Sequence, residues 1–143
     1  MYQLHLLVAP GIQHVILVHF PIALFITAVA LDLVGQSSRR KGLADAASYN
    51  LLLAAISTIP VLATGILSWQ FKFGGAKLQG ILLLHVVLGT ISTLMIWIVW
   101  WVNRQSRQRT KALSRYRLAV EFLAVVIVAL TAHVGGLLSG VIG

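Results

Sequence analysis

Cysteine is absent from this 143-residue chain, and acidic residues number only three: Asp32, Asp45 and Glu121. The first absence excludes disulfides, thiolate metal ligands and covalent haem attachment through a CxxCH motif. The second removes paired carboxylates from the candidates for general acid–base chemistry. No Ser-His-Asp set and no phosphate-binding glycine loop is present either. Charge of both signs is scarce, with 10% charged residues against 59% hydrophobic. A soluble domain of this length needs far more polar surface. A bilayer removes that need, because lipid solvates an apolar exterior. The formal net charge of +8 is not a nucleic-acid footprint, since the basic residues are confined to connections between apolar runs.

Four such runs cover residues 12–34, 48–69, 79–102 and 118–138. Each is near the roughly 20 residues that a helix needs to cross a hydrocarbon core about 30 Å thick. Helices satisfy their own backbone groups in lipid, whereas an open strand does not. The connections are turn-like. The segment 35–42 closes the first run, Gly74-Gly75 interrupts the chain after the second, and 103–117 is polar. Short connections favour antiparallel neighbours. The expectation is an all-α integral membrane four-helix bundle, up-down-up-down, forming a single membrane domain over 1–143. No internal repeat is legible.

Orientation follows from charge. Arg39, Arg40 and Lys41 occupy the first connection, and Arg104, Arg107, Arg109, Lys111, Arg115 and Arg117 the third. Only Lys72 and Lys77 lie in the second. The positive-inside rule places connections one and three in the cytoplasm and both termini outside. The N-terminal stretch carries no basic residue ahead of its apolar run and is not expected to be a secretory signal. Trp69 at one boundary and Trp97, Trp100 and Trp101 near the other read as an interfacial aromatic belt.

Five histidines are present: His5, His14, His19, His85 and His133. At 1.5 Å per residue, His19 lies roughly 10 Å, His85 about 9 Å and His133 about 7–8 Å from the outer boundary. Three helices thus present an imidazole at nearly one depth, with His14 shallower. Ionisable groups in membrane helices are costly and face the bundle interior or a water-filled cavity. A set at common depth suggests a shared ligand. The competing explanation is that each histidine hydrogen-bonds a neighbouring helix. His14 and His19 are about 140° apart around a helix and do not serve one spot equally.

Small residues lie on the histidine faces: Gly89 four after His85, Gly136 three after His133, and Ala23 four after His19. They give a flat macrocycle clearance. Equally, Gly136 and Gly140 form a GxxxG pattern that packs membrane helices. Pro21 frees the carbonyl of Leu17 close to His19. Thr64 and Ser68, beyond Pro60, are placed to bond a cofactor or a ligating histidine, or simply their own helix backbone. Asp32 is expected to pair with Arg39 or Arg40, and Glu121 with Arg117. The cytoplasmic half is expected to be a plain apolar core.

The stretch His19-Phe20-Pro21-Ile22-Ala23-Leu24, preceded by His14, resembles the start of domain-of-unknown-function family 2231. The further histidines early in the third helix and late in the fourth, His85 and His133, are similar to that family's pattern. The resemblance spans essentially the whole chain. It implies a small four-helix bacterial membrane protein and leaves the function open.

Two chemistries fit these histidines. One is a membrane cytochrome with b-type haem on His14, His19, His85 and His133, Gly89 and Gly136 giving clearance. His85 and His133 are then the leading axial pair, and His19 with His85, across the bundle diagonal, the next. Such a protein is a non-catalytic electron carrier in the bacterial inner membrane, exchanging with quinol or a periplasmic carrier. The other is a histidine-only site for copper, zinc or iron on His19, His85 and His133. A structural subunit within a larger membrane complex is the remaining alternative. No nucleic acid partner is expected.

Overall fold

The computed structural model describes residues 9–108 and 113–140, apart from the side chains of Gln108, Leu113, Ser114 and Arg115. Four helices follow in order: α1 Pro10–Ser38, α2 Lys41–Lys72, α3 Gly80–Gln108 and α4 Leu113–Ser139. Each is long and apolar enough to cross a membrane. Large apolar side chains stand on the outside, among them Phe20, Phe71 and Phe122. In water such an exterior would be an association surface, whereas here it meets lipid.

The helices overrun the apolar stretches that define them. Residues 35–38 continue α1, 41–47 open α2, 103–108 extend α3 and 113–117 begin α4. Backbone bonding carries a helix past the hydrocarbon boundary, so a change in polarity does not end it. Pro10 starts α1, where its missing N–H loses nothing. Arg39 ends it at φ 54°, in the left-handed region. The link to α2 is therefore only Arg39-Arg40. Gly35 permits the tight crossing just before it, since a Cβ there would meet the Ala44 nitrogen at 3.1 Å. Between α2 and α3, Gly74 and Gly75 both take positive φ, a conformation that costs other residues about 1–2 kcal/mol each.

The bundle is built from two hairpins. α1 packs along α2 and α3 along α4, while α2 touches α3 less extensively and α1 touches α4 least. α1 and α3 are thus diagonal. A core of Phe25, Ala28, Leu51, Ala55, Ile96 and Val99 occupies the middle. For brevity, the end carrying the starts of α1 and α3 is the histidine end, and the end with the Arg39-Arg40 link is the basic end.

The basic end is not a plain apolar core. Asp32, Asn103, Arg117 and Glu121 are all buried there. Arg117 donates from Nη2 to Asp32 Oδ2 at 2.6 Å and from Nη1 to Ser106 Oγ at 2.9 Å. Gln36 donates to the same Asp32 oxygen at 2.7 Å, and Ser48 Oγ donates to Asn103 Oδ1 at 2.6 Å. Asp32 therefore pairs with Arg117 rather than with Arg39 or Arg40. Arg39 leaves the helix in a turn with its side chain exposed, while Arg117 is carried inward by α4. Glu121 does face Arg117, at 3.5 Å from Nε. Trp97 also departs from a pure belt role: it is partly buried, and its Nε1 donates to Thr58 Oγ1 at 3.3 Å.

Candidate functional site: a histidine pair across the bundle

His14 is in the second turn of α1, and its ring lies against α2. A Cβ added at Gly65 would stand 3.1 Å from His14 Cε1. Only a residue without a side chain leaves room for the ring at that point. His14 Nδ1 is 3.1 Å from the Val61 carbonyl and 3.3 Å from Thr64 Oγ1. The Thr64 hydroxyl already donates to the Pro60 carbonyl at 2.8 Å. Both groups facing Nδ1 are thus acceptors, so Nδ1 carries the proton. Nε2 keeps its lone pair, the form in which imidazole binds metals.

His85, in the second turn of α3, repeats the arrangement against α4. A Cβ at Gly135 would come within 2.9 Å of His85 Cε1. Its Nδ1 is buried toward the backbone of Thr131 but closes no hydrogen bond there. Thr131 itself donates to the Ile127 carbonyl at 2.8 Å and shares a 2.7 Å hydroxyl contact with Ser92.

The two histidines meet. Their ring centroids are 6.3 Å apart and their planes stand at 86°. The remaining sequence candidates lie elsewhere. His19 is exposed, and its Nδ1 donates to the Val15 carbonyl of its own helix at 2.7 Å. His133 is exposed on α4, and His5 lies outside the described residues. The side chain facing His85 is therefore that of His14, not His133 or His19. Depth along a helix counts residues, while facing depends on angle, and the 140° between His14 and His19 turns one inward and the other out. Gly89 and Gly136 are partly buried. A Cβ at Gly89 would meet the Thr131 methyl at 4.0 Å, so its open side faces α4.

Among the described residues, no three His, Asp or Glu side chains gather where they could hold one metal ion. A triple site on His19, His85 and His133 is accordingly not assembled, because two of the three point outward. The parts that sequence reasoning missed are Gly65, Gly135 and the carbonyl of Val61. A glycine inside each even-numbered helix was the available signal. At the same end of the bundle, but not lined by either histidine, a groove of about 530 Å³ runs between Pro10, Ile12, Val15 and Ile16 of α1 and Phe71 and Lys72 of α2.

A family model described as DUF2231, predicted membrane protein, matches residues 13–143. The chain belongs to the DUF2231 family. Both paired histidines lie within the matched segment, as does every contact described for them. No curated protein and no solved structure matches the chain at a significant level.

Proposed function

We propose that this DUF2231 protein is a membrane electron-transfer protein that holds one b-type haem between its hairpins, with His14 and His85 as the axial ligands. The observation that carries this is the 6.3 Å between the two ring centroids. Two imidazoles on opposite sides of one metal ion, bonded at about 2.0–2.1 Å, set their centroids about 6 Å apart. His14 offers a free Nε2 with the opposite nitrogen already committed to Val61, the outer-shell contact that ligating histidines use.

The number of ligands favours haem over a bare ion. The protein gathers two imidazoles and no third ionisable ligand among the described residues. A porphyrin brings four nitrogens of its own and needs only two from the protein. A macrocycle between His14 and His85 would lie between the two hairpins, which touch each other less than the helices within each do. A bound haem supplies a one-electron redox centre. The chain's own part is to fix both rings and to keep lipid and water off the ligating nitrogens. A quinol within the membrane and a carrier protein outside it are the electron-transfer partners of suitable chemistry.

The test is the reduced-minus-oxidised absorption of protein produced with ample haem. Soret and α bands are expected, lost in both His14→Ala and His85→Ala and kept in His19→Ala and His133→Ala. No bands in the parent would reject the haem, and bands unchanged in either of the first two variants would reject that histidine as its ligand. Stoichiometric copper that disappears in the same two variants would then establish a two-imidazole metal site instead.

The orientation in the bacterial inner membrane belongs to the same proposal: termini and histidine end outside, basic end in the cytoplasm. It is supported by the clustering of Arg39, Arg40, Lys41, Arg104 and Arg107 at one end. The chain lacks cysteine, so single probes are clean. In intact cells an impermeant thiol reagent should label Lys77→Cys and spare Ser38→Cys, and the reverse pattern would invert the topology.

A further inference from the structure

The pattern of burial repeats along the chain. Among the described residues of α3, those buried are Ser92, Ile96, Val99 and Asn103. Subtracting 71 gives Pro21, Phe25, Ala28 and Asp32, all buried on α1. On α4 the buried residues are Arg117, Glu121, Ala124, Val128 and Val134, and subtracting 70 gives Ala47, Leu51, Ala54, Thr58 and Thr64, all buried on α2. The same shifts map His14 onto His85 and Gly65 onto Gly135. They map Val61, which accepts from His14, onto Thr131, toward which His85 Nδ1 is turned. The contact between a histidine and its glycine is thus made twice, once within each hairpin, with nearly the same geometry.

Polar contacts between hairpins join the corresponding helices, while the packing is uneven, with α2 closer on α3 than α1 is on α4. Asp32 on α1 reaches Arg117 on α4. Its counterpart Asn103 on α3 reaches Ser48 on α2, one residue from Ala47, the counterpart of Arg117. α1 and α3 run in the same direction, so the operation that exchanges the hairpins is a rotation about an axis along the helices.

We infer that the chain is a tandem repeat of one helical hairpin about a two-fold axis along the membrane normal, and that the histidine pair is a single site on that axis taking a flat ligand with two equivalent faces. Each face receives one imidazole backed by one glycine of the neighbouring helix; Val61 accepts from His14, while His85 Nδ1 is turned toward Thr131 without closing a bond. Parallel repeats of this kind place ligand sites at the repeat interface in other membrane folds. Residue identity has drifted over most of the repeat while burial has been kept, which is why the residues alone show no repeat. Identical pairs include His14 with His85 and Gly65 with Gly135 in the histidine layer, and Leu53 with Leu123 and Ala54 with Ala124 in the middle of the bundle. The buried polar groups of the basic end fall on unlike pairs, Asp32 against Asn103, Ala47 against Arg117 and Leu51 against Glu121, so their symmetry is of position only.

The ligand half of this inference rests on the haem reading, and the axis does not. The axis is tested by pulsed electron–electron distance measurement on full-length protein in lipid nanodiscs. The rotation carries Phe20 to Ile91 and Leu123 to Leu53, all four exposed to lipid. Spin labels on Phe20→Cys with Leu123→Cys should therefore report the same distance as labels on Ile91→Cys with Leu53→Cys. A difference of more than one helical turn, about 5 Å, overturns the axis whether or not haem is bound. The equivalence of the faces is tested by His14→Gly and His85→Gly with added imidazole, which should restore the haem bands at the same imidazole concentration within a factor of three. Restoration of one variant alone overturns equivalent faces. Equal distances in a protein that binds no haem would leave the repeat standing and remove the ligand.

Discussion

The two ends of the bundle both bury polar groups, and they do so by opposite means. At the basic end the residues paired by the repeat are unlike, so charge meets charge: Arg117 is bound to Asp32 at 2.6 Å and supported by Ser106 and Gln36. At the histidine end the paired residues are alike. His14 has its proton donor turned away into α2, and His85 has its Nδ1 turned toward α4. The His14 imidazole presents its Nε2 lone pair toward the bundle, and no hydrogen bond joins the two rings. The difference teaches that unlike partners can neutralise each other, as Arg117 does Asp32, although Glu121 and the Asn103 amide there close no hydrogen bond, whereas like partners cannot.

The largest effect should come from breaking the closed end. Arg117→Leu leaves Asp32 and Glu121 facing each other without a cation in the bundle interior, and loss of one member of a buried pair costs about 3–5 kcal/mol. Folded protein should fall sharply in a detergent thermal-denaturation assay. The triple change Asp32→Leu, Arg117→Leu and Glu121→Leu should recover most of that loss, because apolar replacement of a whole buried ionic group is near neutral. A single variant as stable as the parent would mean that the basic end is wet rather than closed.

A smaller effect is expected at the open end. Gly135→Val drives a branched side chain into the His85 ring, where even a Cβ would stand at 2.9 Å. Overpacking of this kind costs about 1–3 kcal/mol, and the ligand signal should be lost with most of the fold intact. Retention of haem or metal in this variant would show that the ring is free to move and that the glycine does not position it.

The smallest effect belongs to the surface of the basic end. Arg107 donates to Asp45 at 2.6 Å, but the Asp45 side chain is 59% exposed. Asp45→Asn should change stability by less than about 1 kcal/mol, since solvent screens such pairs. A larger loss would extend the closed network from the interior out to the headgroup region.

Much of the fold was legible in the residues. Four apolar runs and the Gly74-Gly75 break anticipate four helices and the joint between the hairpins. The helix ends were not legible, because residues such as 41–47 and 103–108 are polar yet remain helical. The choice of histidines was half legible. Their confinement to one end can be read by counting residues, but counting makes His14 the shallow outlier, whereas it is the partner of His85. Gly65 and Gly135 carry the site, whereas Gly89 and Gly136, on the histidines' own helix faces, had drawn attention. A glycine that receives a ring belongs to a different helix from that ring, and no spacing along one helix reveals it.

The sequence by itself determined that this chain lives in lipid, crosses it four times and keeps its histidines away from its arginines. Hydrophobicity and charge act residue by residue, so their consequences survive without knowledge of neighbours. Only the tertiary structure decided that His14 faces His85, that Arg117 rather than Arg39 or Arg40 neutralises Asp32, and that each buried residue described in the second hairpin has a buried counterpart in the first. Those outcomes depend on the rotation of each helix about its own axis. That rotation is set jointly by all the side chains packed between helices, such as Phe25, Leu51, Ile96 and Val99, and no single stretch of sequence contains it.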